Sequence, residues 1–256
     1  MQGEEAPGRK VFRITGTDRI GFLQGLVTND VRRLEHGPVH AAMLSPQGKY
    51  LADFLLVPEA EAVLLDVAES VAGALVQRLG MYRLRADVQI TETDLKVTRG
   101  LGAMPAGAVA DPRHASLGWR AYGRQAGGPA RIDWDGIRVA NCIPETGIEL
   151  IPNETYILEA GFERLHGVDH RKGCYVGQEV TARMKHKTEL RKGLVTVAVE
   201  GPAEPGTPVT AEGRPAGVLH TRSGNRAIAY LRFARATGPL AAGEAVVRWA
   251  DAETVA

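Results

Sequence analysis

The sequence predicts an α+β fold in which a larger amino-terminal region precedes a smaller antiparallel β unit. Two observations favour this division. Up to about residue 190, stretches with the alternating apolar pattern of strands are interspersed with stretches that have helical spacing. From Leu194 onward only short strand-like stretches and Gly- and Pro-rich turns remain, which is typical of a partial β-barrel. We therefore expect domains at residues 1–190 and 191–256.

Strands and helices alternate in the amino-terminal region. The alternation in VFRIT predicts a strand at 11–15, and Thr17 and Asp18 are suited to cap a helix that follows it. A second helix is predicted at 70–79, with a break at Gly80. The remaining predictions are a hairpin over 39–57 with its turn at 45–49, and strands at 63–67 and 85–90.

A further helix is predicted at 154–165, where apolar residues recur at helical spacing after a capping residue, Asn153. Gly161 would lie inside it at a cost of about 1 kcal/mol relative to alanine, so close packing or a ligand is expected to require that glycine. IRVA at 137–140 resembles a strand. The predicted barrel strands are LVTVAVE, PVTA, AGVLHT, AIAYLRF and AVVRWA.

Composition excludes several classes of protein. Over 256 residues the net charge is +1, which argues against a protein that holds nucleic acid or anionic membrane through its overall field. No apolar run has the roughly 18 residues of a membrane span, and the amino terminus lacks a signal-peptide core. Two cysteines cannot form a disulfide framework. We therefore expect a cytoplasmic protein with reduced thiols and no membrane partner.

One of those cysteines, Cys174, lies in the polar segment DHRKGCYVGQE at 169–179. Gly173 and Gly177 bracket it and permit a tight turn close to a ligand. Beyond Gly177 the residues QEVTARM favour a helix on which Glu179 and Arg183 are four apart and able to pair.

This position favours an ionised thiol, because a helix amino terminus and the neighbouring Lys172 both stabilise a thiolate. A thiolate is a nucleophile or a soft metal ligand. The alternative is that Cys174 packs as a small apolar group and that the glycines serve only the turn.

The basic run RMKHKTELRK at 183–192 allows two interpretations. It is either a solvated helix face or a patch for an anionic tail or RNA phosphate. Three histidines near this region, at 166, 170 and 186, show no metal-ligand spacing with a partner, so no certain metal site is predicted.

The stretch KGCYVGQEVTAR at 172–183 resembles the signature of the YgfZ family of folate-binding proteins, with every fixed position present. The similarity extends over nearly the whole chain. It includes ITGTDRIGFLQGLVTNDVRRL (14–34), SPQGKYLADFLL (45–56), YRLRADVQI (82–90) and GRPAGVLHTRSGNRAIAYLR (213–232).

This resemblance implies a fold related to the glycine-cleavage T-protein, with several lobes around a central folate cavity and a carboxyl-terminal barrel. It implies tetrahydrofolate as the cofactor, with Glu159 in ILEAG (157–161) as the anchor of the pterin ring. A carboxylate can accept two parallel hydrogen bonds from the pterin edge. The expected functional thiol, which could also serve as a transient metal ligand, is Cys174. The other expected cofactor-binding residues are Lys172, Gly173, Tyr175, Gly177, Gln178, Glu179 and Arg183.

Family membership implies an accessory protein that assembles or repairs iron–sulfur clusters in client enzymes, including tRNA-modifying ones. The alternative is a folate-dependent aminomethyltransferase. Ala72-Gly73 stands where the resemblance places a Lys-Asp pair, so this alternative would need another acid such as Asp66 or Glu69. Direct binding of tRNA through the 183–192 run ranks third, because the chain is nearly neutral and lacks interleaved aromatic residues there.

Overall fold

The computed structural model describes residues 3–187 and 189–250, with Lys187 described by its backbone only. Residue 188 of the predicted basic run lies outside the described residues, as do residues 1–2 of the first predicted domain and 251–256 of the predicted barrel domain.

Strands dominate the described chain. In order they are β1 Glu4–Glu5, β2 Arg9–Thr15, β3 Val39–Leu44, β4 Tyr50–Glu59, β5 Ala62–Ala68, β6 Gln89–Glu92, β7 Lys96–Gly100, β8 Val109–Ala110, β9 Trp119–Gly123, β10 Lys192–Glu200, β11 Pro208–Ala211, β12 Arg214–Ser223, β13 Arg226–Arg232, β14 Leu240–Ala242 and β15 Ala245–Arg248. The α-helices are α1 Arg19–Gln24, α2 Glu69–Arg83, α3 Trp134–Ala140 and α4 Gln178–Lys187. Short 3-10 helices lie at Val31–Glu35, Ala115–Leu117 and Phe233–Arg235.

The chain forms two compact units that are not continuous in sequence. The first comprises Met1–Arg131, Ile151–Ile157 and Phe162–Arg183, and the second comprises Ile132–Leu150, Leu158–Gly161 and Met184–Ala256. The single boundary near residue 190 stays a prediction about domains. Two internal segments, 132–150 and 158–161, belong to the same compact unit as the carboxyl-terminal strands.

The first unit is built on a five-stranded antiparallel sheet with the order β3-β4-β5-β2-β6. Strands β4 and β5 are nearly continuous apolar runs because both of their faces are covered. Residues of α2 pack on one face, where Leu75 and Leu79 join Phe54, Leu65 and Val67 in the core.

A second sheet, with the order β1-β7-β9-β8, covers the opposite face. Val11, Leu55 and Leu64 from the first sheet form a smaller cluster with Val97, and Tyr122 packs against that cluster. The first unit therefore has three layers, and the polar groups of β5 that face the second sheet are enclosed between two sheets.

The second unit contains a closed barrel with the strand order β10-β13-β12-β11-β14-β15. Its interior is filled by small and branched side chains such as Val197, Ala229 and Leu231, and closure leaves no free sheet edge. Helix α3 contacts β12 and β13, and the side chain of Asp133 caps it by accepting from the N–H of Gly136 at 2.8 Å. Among the described residues, no helix combines the length and the apolarity needed to cross a membrane.

The α+β class, the 39–57 hairpin and the five predicted strands of the barrel are confirmed. The barrel is closed rather than partial, and its sixth strand, β14, was not predicted. The predicted helix at 154–165 is wrong: this stretch consists of irregular turns, although Ile157, Phe162 and Leu165 are buried. Gly161 has φ +76°, a conformation that cannot continue a right-handed helix, so the apolar spacing reflects burial alone.

Three further predictions were wrong in detail. Gly80 does not end the second helix, since α2 continues to Arg83. The strand predicted at 85–90 lies at β6, Gln89–Glu92. IRVA is part of α3 rather than a strand, because four apolar or small residues alone do not distinguish the two structures.

Candidate functional site

The segment 169–179 that carries Cys174 is fixed at its start by Asp169. The N–H of Asp169 donates to the carbonyl oxygen of Thr28 at 3.0 Å. Its carboxylate accepts from the guanidinium of Arg33 at 2.6 Å and from the N–H of Arg171 at 2.7 Å. The second of these bonds closes a local Asx turn, so the start of the segment has a defined position in the first unit.

Lys172 anchors the same segment from the inside. Its side chain is buried, and Nζ donates to the carbonyl oxygens of Gln24 at 2.5 Å and Val27 at 2.6 Å. Gln24 is the last residue of α1, where a cation is favourable beside unpaired carbonyl groups. Burial lowers the pKa of Lys172 to about 8. The ammonium group is thus bonded to the end of α1, and its effect on the Cys174 thiol stays a prediction.

Gly173 and Cys174 are exposed, in contrast to the residues on both sides of them. Gly173 has φ +100°, which side-chain-bearing residues rarely adopt, and open space surrounds the position of a Cβ atom there. The glycine is therefore required for the conformation of the turn. Its effect is to carry the chain outward at the cysteine, so the alternative in which Cys174 packs as a buried apolar group is excluded.

After the exposed Cys174, the next residue, Tyr175, is buried again, and burial raises its pKa. Val176 then packs against the main core of the first unit. Gly177 has φ +84°, and a Cβ atom on it would lie 2.5 Å from the carbonyl oxygen of Ser45 in the turn between β3 and β4. Gly177 thus satisfies two requirements, a left-handed backbone and a close approach of two chain segments.

Helix α4 follows directly, as the sequence predicts. Gln178 begins it, and its Oε1 accepts from the N–H of Tyr175 at 3.3 Å. Arg183 donates to Glu179 at 2.7 Å, which confirms the predicted i,i+4 pair. Both side chains are exposed, so this pair is screened by solvent. Contacts of Gln178, Glu179 and Arg183 with a cofactor stay predictions.

Glu159 belongs to the second unit, where it is held by strands of the barrel. Its carbonyl oxygen accepts from the N–H of Leu194 at 2.8 Å. The residue is only 8% exposed, and its Oε2 accepts from the hydroxyl of Tyr230 at 2.6 Å. The Nζ atom of Lys192 lies 3.7 Å from the same oxygen. Burial, together with the bond to Glu159, raises the pKa of Tyr230.

Tyr230 and Lys192 were not predicted as site residues. Tyr230 lies between two buried residues of β13, Ala229 and Leu231, and therefore points to the outer face of the barrel. An isolated tyrosine at an outward strand position could have indicated a polar contact, but the identity of its partner, Glu159, follows from the folded chain alone.

Asp66, the acid considered for aminomethyl transfer, is fully buried between the two sheets. Oδ1 accepts from Nε of Arg9 at 2.6 Å, and Oδ2 accepts from Arg120 at 3.1 Å and from the hydroxyl of Tyr122 at 3.0 Å. Burial opposes ionisation, but the charges of Arg9 and Arg120 outweigh it and hold the pKa of Asp66 below its ordinary value. Arg120 also donates to Asp111 at 2.8 Å.

These contacts make Asp66 a structural anion, because each of its carboxylate oxygens already accepts from a buried or half-buried partner. The other acid considered, Glu69, is 60% exposed and lies 3.8 Å from Lys10. Within residues 3–187 and 189–250, no group of three or more His, Cys, Asp or Glu side chains is placed to hold a metal ion.

Comparisons with known proteins cover nearly the whole chain. Residues 191–255 match the family model described as the CAF17 C-terminal beta-barrel domain. The iron-sulfur cluster assembly factor IBA57 of Mus musculus is 34% identical, over 91% of this chain and 78% of the mouse protein. The Homo sapiens factor of the same name is 32% identical over the same shares of the two chains.

Among solved structures, the glycine cleavage system aminomethyltransferase T of Bartonella henselae matches with a TM-score of 0.74. The match covers 95% of this chain and 82% of the other at 14% sequence identity, which demonstrates a shared fold and nothing more. The predicted relation of the fold to the T-protein is thereby confirmed.

The predicted cytoplasmic location is wrong, because the names of the relatives that are similar in sequence give a different compartment. The mouse and human relatives, and a Mycosarcoma maydis homologue that is 33% identical, are all named as mitochondrial proteins. Composition could not reveal this, because soluble domains of the cytoplasm and of mitochondria have the same ordinary content of apolar and charged residues.

Proposed function

Because the chain belongs to the CAF17/IBA57 family, we propose that it is an iron–sulfur cluster assembly factor in which Cys174 supplies one thiolate to a cluster shared with a partner protein. The observation that carries the proposal is the presentation of Cys174. This residue is exposed, while Lys172 and Tyr175 beside it are buried and fixed. The relatives bear the IBA57 name, so the YgfZ resemblance identifies a related branch rather than this one.

The chemistry supports a shared site. An iron–sulfur cluster normally has four protein ligands, and one exposed thiolate can supply only one of them. The anchors at Asp169, Lys172 and Gly177 limit the conformational entropy that the turn would lose when a partner docks. A fixed, exposed thiol is therefore suited to bind a cluster transiently and release it to a client.

The test uses Cys174→Ser, with Cys142→Ser as the matched control because Cys142 is the second cysteine of the chain and is partly buried. Cells that lack the native protein are supplied with each variant, and the activity of a cluster-dependent enzyme is measured. Cluster-dependent tRNA-modifying enzymes are the first clients to assay. We expect Cys174→Ser to lose client activity and Cys142→Ser to retain it. Full activity with Cys174→Ser would refute the role of the thiol.

We further propose that Glu159 anchors the pterin ring of tetrahydrofolate. The carboxylate fits this role because it is buried and because, among the described residues, only Oε2 accepts hydrogen bonds, which leaves Oε1 for a ligand. Tyr230 would hold the carboxylate in place, and Lys192 places a positive charge 3.7 Å from Oε2. A bound tetrahydrofolate would supply a carrier of one-carbon units.

Isothermal titration with tetrahydrofolate tests this proposal on the wild type, Glu159→Gln and a control, Glu163→Gln, whose side chain is exposed. Loss of the negative charge that strengthens the hydrogen bond from the ligand to Oε1 should weaken binding at least tenfold in Glu159→Gln, by roughly 1.5 kcal/mol or more. Equal affinities of the wild type and Glu159→Gln, or no binding to the wild type, would rule the anchor out.

Aminomethyl transfer is not proposed. The acids considered for it are Asp66, whose oxygens are occupied by Arg9, Arg120 and Tyr122, and Glu69, which is largely exposed. Similarity to an aminomethyltransferase at 14% identity supports the fold and not the reaction.

A further inference from the structure

One end of the barrel carries a cluster of cationic side chains. Strand β10 begins there, β13 ends there and β12 begins there, because these three strands are antiparallel neighbours. The register confirms the placement, since Lys192 and Arg232 are direct partners across β10 and β13. We call this cluster the arginine rim, and it consists of Arg191, Lys192, Arg214, Arg232 and Arg235.

Backbone contacts bring the remaining members together. The N–H of Phe233 donates to the carbonyl oxygen of Arg191 at 2.9 Å, which fixes Arg191 beside the end of β13. Arg235 donates to the carbonyl oxygen of Pro215 at 3.2 Å, so its guanidinium lies next to the first residues of β12. The five cations of the rim therefore lie at the same end of the barrel.

The charges of the rim are largely uncompensated. Its four arginines are exposed, and no carboxylate among the described residues lies within ion-pair distance of any of them. Lys192 alone approaches an acid, Glu159, at 3.7 Å. Exposed like charges repel one another at a cost, and such clusters are typical of surfaces that attract an anion.

A cavity of about 440 Å³ is lined by two members of the rim, Arg214 and Arg235. Its volume lies in the range that accommodates small ligands such as a nucleotide. One acid, Glu212, also lines it, so the lining contains two arginines and one carboxylate. Thr237 adds a hydroxyl group to the lining.

We propose that the arginine rim is a binding site for phosphate groups of a nucleotide or of a nucleic-acid backbone. Guanidinium groups match phosphate oxygens in bidentate geometry, and four of the five cations of the rim are arginines. Half-buried Phe233 stacks on half-buried Trp249 with ring centroids 5.2 Å apart, which places aromatic surface beside the cations. Aromatic and cationic groups side by side are the usual means of holding unpaired bases and their phosphates. The site is distinct from the 183–192 helix face, of which it includes only the last two residues.

Binding is measured with the full chain by fluorescence anisotropy of a labelled single-stranded RNA of about twelve nucleotides. AMP and inorganic phosphate serve as competitors. A labelled glutamate-rich peptide of the same net charge serves as the comparison ligand for an acidic protein surface. A mononucleotide source is indicated if AMP competes fully and RNA length has no effect, whereas affinity that rises with RNA length indicates a backbone source.

The variants are Arg232→Gln, Arg214→Gln and Arg235→Gln, with Arg226→Gln as the matched control. Arg226 is an exposed arginine at the opposite end of the same strand, β13. Each rim substitution should weaken RNA binding about fivefold or more, and removal of one arginine–phosphate interaction should reduce the slope of log affinity against log salt by about 0.7. Arg226→Gln should retain the wild-type affinity.

Three results would overturn the proposal. The first is the failure of the wild type to bind RNA, AMP or phosphate. The second is equal binding by the rim variants and the control, which would locate the interaction elsewhere. The third is equally tight binding of the glutamate-rich peptide, which would assign the rim to an acidic protein. Circular dichroism of each variant verifies that these exposed substitutions leave the fold intact.

Discussion

The protein contains two groups of charged side chains with opposite organisation. Between the sheets of the first unit, Asp66 is fully buried and bonded to Arg9, Arg120 and Tyr122. At the arginine rim of the second unit, the guanidinium groups are exposed and no described carboxylate pairs with them. Buried charges must be paired because their desolvation is costly, whereas exposed charges can remain available for a ligand.

The Cys174 turn combines both principles in one segment. Lys172 is buried and bonded to carbonyl oxygens at the end of α1, while Cys174, two residues later, is exposed. Satisfied polar groups thus fix the segment, and one unsatisfied reactive group is presented to solvent. In this protein, exposed groups without a partner therefore indicate a candidate site better than buried groups whose pKa is strongly shifted.

The largest loss of stability is expected from a substitution in the buried network around Asp66. Asp66→Asn removes the anion that pairs with Arg9 and leaves Arg120 with Asp111 alone, so the free energy of unfolding should fall by about 3–5 kcal/mol. Urea denaturation measures this change. As a control, Glu59→Gln removes the acid of a half-exposed pair with Arg13 and should cost less than about 1 kcal/mol. Equal losses in the two variants would remove the contrast between buried and exposed charges.

The pH dependence of stability provides a second test of the same network. The folded-state pKa of Asp66 lies below its ordinary value of 3.8, so the stabilisation from its charge is complete above that value and is lost as the pH falls below it. Unfolding of the wild type should therefore become easier below about pH 4. In Asp66→Asn the free energy of unfolding should decline less steeply over the same pH interval. Identical slopes in the two proteins would contradict a stabilising role for the Asp66 charge.

The two glycines of the Cys174 turn should differ in their tolerance of a side chain. Gly177→Ala introduces a Cβ atom 2.5 Å from a backbone oxygen in addition to an unfavourable φ, and should destabilise by about 2–4 kcal/mol. Gly173→Ala faces open space and should lose only about 1 kcal/mol from its backbone conformation. Thermal denaturation distinguishes the two. The reverse order would show that the turn is anchored elsewhere.

The smallest loss of stability is expected from a substitution in the exposed Glu179–Arg183 pair on α4. Glu179→Gln removes the partner of Arg183 and should change the free energy of unfolding by no more than about 0.5 kcal/mol. The loss should vanish at high salt, where exposed pairs are screened. A reduction clearly greater than this, and insensitive to salt, would mean that Glu179 has a further structural role.

Local patterns predicted much of the fold. The hairpin over 39–57 and five of the six barrel strands were predicted correctly because alternation and turn residues act on neighbours along the chain. The helix predicted at 154–165 failed because burial of Ile157, Phe162 and Leu165 produced helical spacing by tertiary packing, while Gly161 adopted a left-handed conformation. The spacing of apolar residues indicates which of them are buried, but the same spacing can arise from a helix or from irregular turns.

Four features could be inferred from the amino-acid order alone: the α+β class, the β-rich carboxyl-terminal unit, the turn at Cys174 and the Glu179–Arg183 pair. All of these depend on residues close together in the chain. The folded chain was needed to show that Lys172 bonds the end of α1, that Asp66 lies between two arginines, and that β10, β12 and β13 bring the arginine rim together. These contacts join residues tens to more than a hundred positions apart, and the register that unites them is set by packing of the sheets and closure of the barrel.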